Sequence, residues 1–364
     1  MTRLIVAAGG GGDAVAAAVV DAALYGGDEP AVILTYAWDR LIVDPVPGPR
    51  GAADFRGLRR LTHSVRAVPA DARPVAPAGS TLPRLAAELT YTFALLDPHH
   101  GVEGMTRQLD ELIAEFSPST VDLLDVGGDI LARGDETGLK SPLGDALSLA
   151  ACARADVPIR LLVAGPGLDG EIPADVLRDR LGSRVHTLTA EQVEPVSAVL
   201  EWHPSEATAM LAATARGIRG LCEIRDSGLP VPLTDEGPAV YEADLRKAAE
   251  RNALARAVRT TTSLAEAERH SREVCGFSEI DYERAKAQRL SDRTSVAFDD
   301  AAVLARVAHI AAAARTQGIT HTTFRRLTEA LGLPGTQRRD LRALLISTRP
   351  ANYTPPLWHF GGQG

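Results

Sequence analysis

Four successive glycines, Gly9 to Gly12, follow the short apolar run Leu4, Ile5, Val6 and open through Asp13 into an Ala, Val and Leu stretch ending near Tyr25. Glycine admits positive φ and leaves no Cβ between the main chain and a ligand. A helix starting at Asp13 adds free N–H groups and the positive end of its dipole. The pattern predicts a buried strand, a tight turn and a covering helix, with Gly9, Gly10, Gly11, Gly12 and Asp13 facing an anionic or phosphate-bearing ligand. The spacing fits no named nucleotide motif. Gly10 and Gly12 are followed by Val15 where a third glycine would stand, and no P-loop lysine follows. Asp13 itself has two readings, a helix N-cap or a group holding a metal or a ligand hydroxyl. A bare phosphate beside it would be repelled, which favours a metal, a hydroxyl or a cationic group as its partner.

Apolar strand runs then alternate with helical patterns. Ala31 to Thr35, His63 to Val68, Thr92 to Leu96, Val121 to Val126, Ile159 to Ala164 and Val185 to Leu188 read as strands, with helices between them. Such alternation predicts an α/β protein, Rossmann-like, with a mostly parallel sheet carrying helices on both faces. Ligands bind such sheets beyond the C-terminal strand ends, where Asp13, Asp97, Asp125 and Asp129 would converge. From about Asp235 the patterns become mainly helical. The expected division is residues 1–235 as the α/β core with its ligand crevice and 236–364 as a helical C-terminal region packed on it. Arg325, Arg326, Arg338, Arg339 and Arg342 fall on helical segments there, and a cap or subunit contact is a better reading of them than a DNA-reading helix. Gly361 to Gly364 reads as a flexible end.

Composition narrows the class. With 45% hydrophobic and 24% charged residues in 364, the chain can bury a substantial core. A net charge of −8 argues against nucleic-acid binding by general phosphate neutralisation. Leu4 to Leu24 is apolar but broken by glycines and aspartates, so no membrane span is expected. Cys152, Cys222 and Cys275 are widely spaced and form no CxxC pair, which fits free thiols in the cytoplasm. A homo-oligomer is compatible with all of this.

The second dense segment is Asp125, Val126, Gly127, Gly128, Asp129, continuing through Lys140, Ser141 and Pro142 to Asp145. A strand ending in two aspartates around two glycines needs those carboxylates solvated, capped or bound to a cation. Gly127, Gly128, Lys140 and Ser141 are candidate ligand contacts, with Ser141 also a candidate N-cap before an N1 proline. Arg50, on a loop stiffened by Pro45, Pro47 and Pro49, is a candidate anion clamp. Asp125, Asp129 and Glu206 are candidate catalytic groups, and Asp13, Asp125 and Asp129 candidate ligands of a divalent cation. His99 and His100 with Glu103 have the composition of a metal site, although adjacent histidines project apart and a solvated loop is the better reading.

Taken together, GGGGDA at Gly9 to Ala14, WDR and DPVPGPR between Trp38 and Arg50, the run from Asp125 to Ala146, and DGEIP at Asp169 to Pro173 resemble the uncharacterised family called domain of unknown function 1152. The resemblance implies a site map and no reaction. The residues point to an enzyme acting on a phosphorylated small molecule or nucleotide, by group transfer or C–O/C–N bond cleavage. A non-catalytic nucleotide or metabolite sensor is the alternative, and a nicotinamide-dependent oxidoreductase ranks below both.

Overall fold

A computed structural model describes residues 2–27, 29–291 and 298–361; Gly362 to Gly364, read above as part of a flexible end, lie outside the described residues. The predicted first unit forms: a strand at Arg3–Ala7, the glycine turn, and a helix at Asp13–Tyr25 that ends on Gly26 at φ 85°. Alternation along the strand assigns its two faces. Ile5 and Ala7 pack with the Asp13–Tyr25 helix in one core, while Leu4 and Val6 pack with the helices Gly101–Phe116 and Pro142–Cys152 in the other. The chain is thus a mixed α/β protein with helices on both sides of a large central sheet.

Five strands form the parallel middle of that sheet. Across it they run Ile159–Ala164, Val121–Val126, Arg3–Ala7, Ala31–Thr35 and Thr92–Leu95. The second strand leaves the first on one side and Val121–Val126 returns on the other, so the order reverses beside Arg3–Ala7. Crossovers leaving in opposite directions open a crevice at the strand ends of that point. The glycine turn forms one wall and the loop after Val126 the other.

The edges correct the expected pattern. Only Arg66–Ala67 of the His63 to Val68 run pairs in the sheet, and it is antiparallel. The Val185 run shifts to Arg184–Thr187, an antiparallel edge beside Ala239–Ala243. That last strand was not anticipated from the sequence, and it returns antiparallel to Ile159–Ala164.

A second sheet joins the two halves of the chain. Its order is Leu229–Leu233, Gly220–Ile224, His321–Thr322, Leu357–His359, Tyr353–Thr354. It therefore draws strands from both sides of the boundary expected at residue 235. The C-terminal part carries its own core, in which Val303, Val307, Phe324, Leu327, Leu341 and Trp358 meet. Three of its arginines are occupied within the protein: Arg325 pairs with Glu206, Arg326 with Glu223 and Arg342 with Glu201.

Candidate functional site

The crevice at the strand reversal encloses ≈ 870 Å³ of space open to solvent. Its walls carry eight carboxylates, Asp13, Asp125, Asp129, Asp145, Asp169, Glu171, Glu206 and Glu279, and three guanidinium groups, Arg40, Arg225 and Arg325. Seven of those acids are buried and Asp169 is partly so.

The glycine turn is shaped mainly by the protein around it. A Cβ on Gly10 would lie 2.6 Å from the Trp38 carbonyl oxygen, and one on Gly12 would collide with Ser205 and Thr208. Gly11 takes φ 70°. Gly12 is the residue before the helix, so Asp13 is not its N-cap; Asp13 reaches back instead and accepts the Gly9 N–H at 2.6 Å. Among the described residues, the N–H groups of Gly10, Gly11 and Gly12 donate to nothing.

Three aspartates from three elements meet beneath this turn. Asp13 opens the first helix, Asp125 ends the Val121–Val126 strand and Asp145 sits in the first turn of the Pro142–Cys152 helix. One carboxylate oxygen from each lies within 4.8 Å of the others. Asp125 accepts the Gly128 N–H at 2.8 Å, whereas Asp145 Oδ1, on a residue 3% exposed, has no hydrogen-bond partner. Gly9 has to be glycine here, since its Cβ would stand 2.9 Å from Asp13 Oδ2 and 3.4 Å from Asp145 Oδ1. Burial first, and then mutual repulsion, push Asp125, Asp129 and Asp145 well above the usual carboxylate range. Burial likewise raises Asp13 and Asp169 to about 7 and Glu279 to about 8.

The remaining wall is ordered by cross-braces. Glu171 accepts the Lys140 and Ser141 N–H groups at 2.7 and 3.1 Å and the Ser141 hydroxyl at 2.6 Å. Glu279 accepts the Leu143 N–H at 2.8 Å. These two glutamates therefore cap the Pro142–Cys152 helix, and Ser141, expected to be its side-chain cap, donates its hydroxyl instead. Ser205 does cap its helix, accepting the Thr208 N–H at 3.3 Å. Glu206 receives the Arg225 N–H at 3.0 Å, the Thr323 hydroxyl at 2.5 Å and an ion pair from Arg325 at 3.3 Å. Arg225 holds φ 60°, a backbone state that costs a side-chain residue of order 1–3 kcal/mol. Its guanidinium, bonded to the Asp169 carbonyl at 2.9 Å and Glu171 at 3.0 Å, fixes that state.

Several expected residues lie elsewhere. Arg50 is turned inward: Nη2 donates to the carbonyls of Val46, Pro47 and Gly48, and Nε pairs with Asp44 at 3.2 Å. The stiff loop uses that arginine to hold its own shape. Lys140 contributes its N–H to Glu171 while its exposed side chain is no part of the crevice lining. Gly127 and Gly128, at φ 118° and 102°, turn the chain behind the wall, Gly127 closely backed by Asp169. Asp97 is two strands from the reversal and caps the turn Pro98–His100, accepting from the His99 N–H at 3.0 Å and pairing with its ring at 2.8 Å. His99 is thereby committed. Asp129 lines the crevice within reach of the charges of Asp145, Glu171 and Asp169, but Asp145 takes the third place expected for it in the cluster.

Asp145, Asp169, Glu171, Glu279, Arg40, Arg225 and Arg325 were missed as site residues. A helix-first-turn aspartate after Ser-Pro, and the acidic pair in Asp169-Gly170-Glu171, were visible signals for two walls. Nothing local marks Glu279 or Arg325, which arrive from distant parts of the chain.

The family model described as "Protein of unknown function (DUF1152)" matches residues 4–287, so the chain belongs to that family. No curated protein and no solved structure matches it. No helix among the described residues is long and apolar enough to cross a membrane.

Proposed function

We propose that this member of the family is an enzyme acting on a phosphorylated small molecule or nucleotide, by group transfer or C–O/C–N bond cleavage. The observation that carries the reading is the convergence of Asp13, Asp125 and Asp145 directly beneath a glycine turn with three unspent N–H groups. Acids placed against acids supply groups for proton transfer or for holding a cation, and the amide row suits an anionic oxygen. The order of the five parallel strands, third, second, first, fourth, fifth, supports the Rossmann-like reading and with it a nucleotide. Asp125 and Asp129 remain the preferred acid–base candidates. Glu206 acts as a brace in this reading, because three donors already occupy its carboxylate.

A sensor of the same ligand draws support from one feature. The C-terminal part reaches the crevice through Arg325 and Glu279, so occupancy there would be felt in the second sheet. Mass spectrometry of small molecules released on denaturing the purified protein identifies the ligand class. Incubation of the native protein with that compound then separates the two readings: product formation that Asp125→Asn abolishes supports the enzyme, and an intact ligand after hours supports the sensor. Unchanged binding and turnover in both Asp125→Asn and Asp129→Asn would sink both.

A further inference from the structure

Charge pairing decides what the crevice accepts. Arg225 is paired with Glu171 and Arg325 with Glu206. Six carboxylates are then left against Arg40 alone. A phosphate entering by itself finds no counter-charge there beyond Arg40: protonated, these acids offer none, and ionised, they repel it. A cation has to come first or come with it.

The three converging aspartates offer the place. Their donor set is oxygen only, with no histidine or cysteine lining the crevice, which is the chemistry of Mg²⁺, Mn²⁺ or Ca²⁺ rather than zinc. Oxygens within 4.8 Å of one another are close enough to share one ion, since two ligands held at about 2.4 Å from a cation lie at most about 4.8 Å apart. The independent sign of an absent partner is Asp145 Oδ1, buried beside Gly9 with nothing to accept from. An acceptor-only oxygen of this kind is satisfied by a metal.

Arg40 is set up differently from every other cation of the site. Its two predecessors are tied down: the Trp38 indole N–H donates to Glu283 at 3.1 Å, and Asp39 accepts the Thr81 N–H at 3.0 Å and its hydroxyl at 2.8 Å. Trp38 also abuts Gly10. The guanidinium that follows is exposed and lines the crevice within electrostatic reach of Asp13, Glu279 and Glu283, yet it forms no hydrogen bond or ion pair among the described residues. A planar fork left uncommitted in this position suits the oxygens of a phosphate.

Resting on the reading of a phosphorylated ligand, we infer that the ligand binds as a cation–phosphate pair: Asp13, Asp125 and Asp145 seat one hard divalent cation, and Arg40 with the Gly10 to Gly12 amides reads the phosphate that the cation bridges. The ligand class is then a phosphate ester or diphosphate that chelates its own metal. Binding is ordered by charge, and the anion has no measurable affinity without the cation.

Calorimetric titration tests this with Mn²⁺ and inorganic pyrophosphate on the full chain. The wild type takes up one Mn²⁺, and Asp145→Asn weakens that by at least about 100-fold, the upper end of what loss of a supporting group at a metal site does. Pyrophosphate binds only with Mn²⁺ present. Arg40→Ala weakens pyrophosphate by roughly ten- to a hundredfold, the scale of a charge-assisted hydrogen bond, and leaves Mn²⁺ uptake unchanged. Arg40→Lys recovers only part of that loss. Circular dichroism confirms that each variant is folded. Pyrophosphate binding that is equal without Mn²⁺, or indifferent to Arg40→Ala, overturns the proposal, as does Mn²⁺ uptake indifferent to Asp145→Asn. Turnover that is independent of metal would overturn the cation seat and leave the enzyme reading standing. Pair binding as expected, with no phosphorylated compound converted, would do the reverse.

Discussion

Two charge clusters lie side by side in this molecule and are built on opposite plans. In the first, Glu206, Arg325, Glu329, Lys286 and Asp226 alternate in sign, each acid within 3.5 Å of a base. In the second, Asp13, Asp125 and Asp145 face one another, and among the described residues none of them forms an ion pair. The first runs from buried Glu206 through half-buried Arg325, Glu329 and Lys286 to exposed Asp226, whereas all three aspartates of the second are buried, and the two differ in completion as well. The alternating cluster is finished by the chain itself and holds the C-terminal part to the crevice. The aspartate cluster has no such partner among the described residues, and on the reading proposed above one is architecture and the other is site.

The comparison breaks most visibly where a finished cluster is opened. Arg325→Ala leaves Glu206 buried without its counter-charge, and loss of one partner of a buried pair costs about 3–5 kcal/mol. Urea denaturation should show a loss of that size, and a loss under 1 kcal/mol would make the two clusters equivalent. Asp125→Asn is expected to go the other way: removing one of three repelling acids keeps or raises stability in metal-free buffer while cation uptake falls. A destabilised Asp125→Asn protein with normal uptake would reverse the assignment.

Acidity sharpens it further. Folded Asp13 and Asp169 release their protons near 7 and Glu279 near 8, whereas in the unfolded chain such groups titrate near about 4. Between those values the folded protein holds protons that the unfolded chain has lost, so stability falls as pH rises through the window. Metal-free melting temperatures should therefore drop from about pH 5 to about pH 8, and saturating Mn²⁺ should flatten the slope. A flat metal-free profile would mean that these acids are not desolvated. The smallest effect belongs to Lys140→Ala, outside both clusters, which should stay within about 0.5 kcal/mol of wild type and leave pyrophosphate binding unchanged.

The glycine turn, the central parallel strands and the two acidic loops were legible because each is written locally: an apolar run, a break, and a carboxylate at the break. Asp13 and Asp125 could be read from that grammar alone. The sheet edges could not, since runs such as His63 to Val68 and Ala239 to Ala243 carry no mark of which neighbour they will pair with. Arg50 misled because stiff loops present arginines outward or fold around them, and only the positions of Asp44 and three carbonyls decide which. Arg40, ten residues earlier and outside the proline-rich run, lines the crevice instead. Glu279 and Arg325 needed the tertiary fold itself, because their neighbours in space are more than a hundred residues away in the chain.

The pairing order of the second sheet decides which of its strand edges stay covered. Gly220–Ile224 is covered along one side by Leu229–Leu233 and along the other by His321–Thr322, which the last strands cover in turn. A chain cut after Ser291 would keep the first pairing and lose the second, baring the N–H and C=O groups of a strand that holds Cys222 and Ile224. An open edge of that kind is a template for another copy. The far C-terminal strands thus serve as an edge guard, and their removal should show first as self-association, before any change in what the crevice binds.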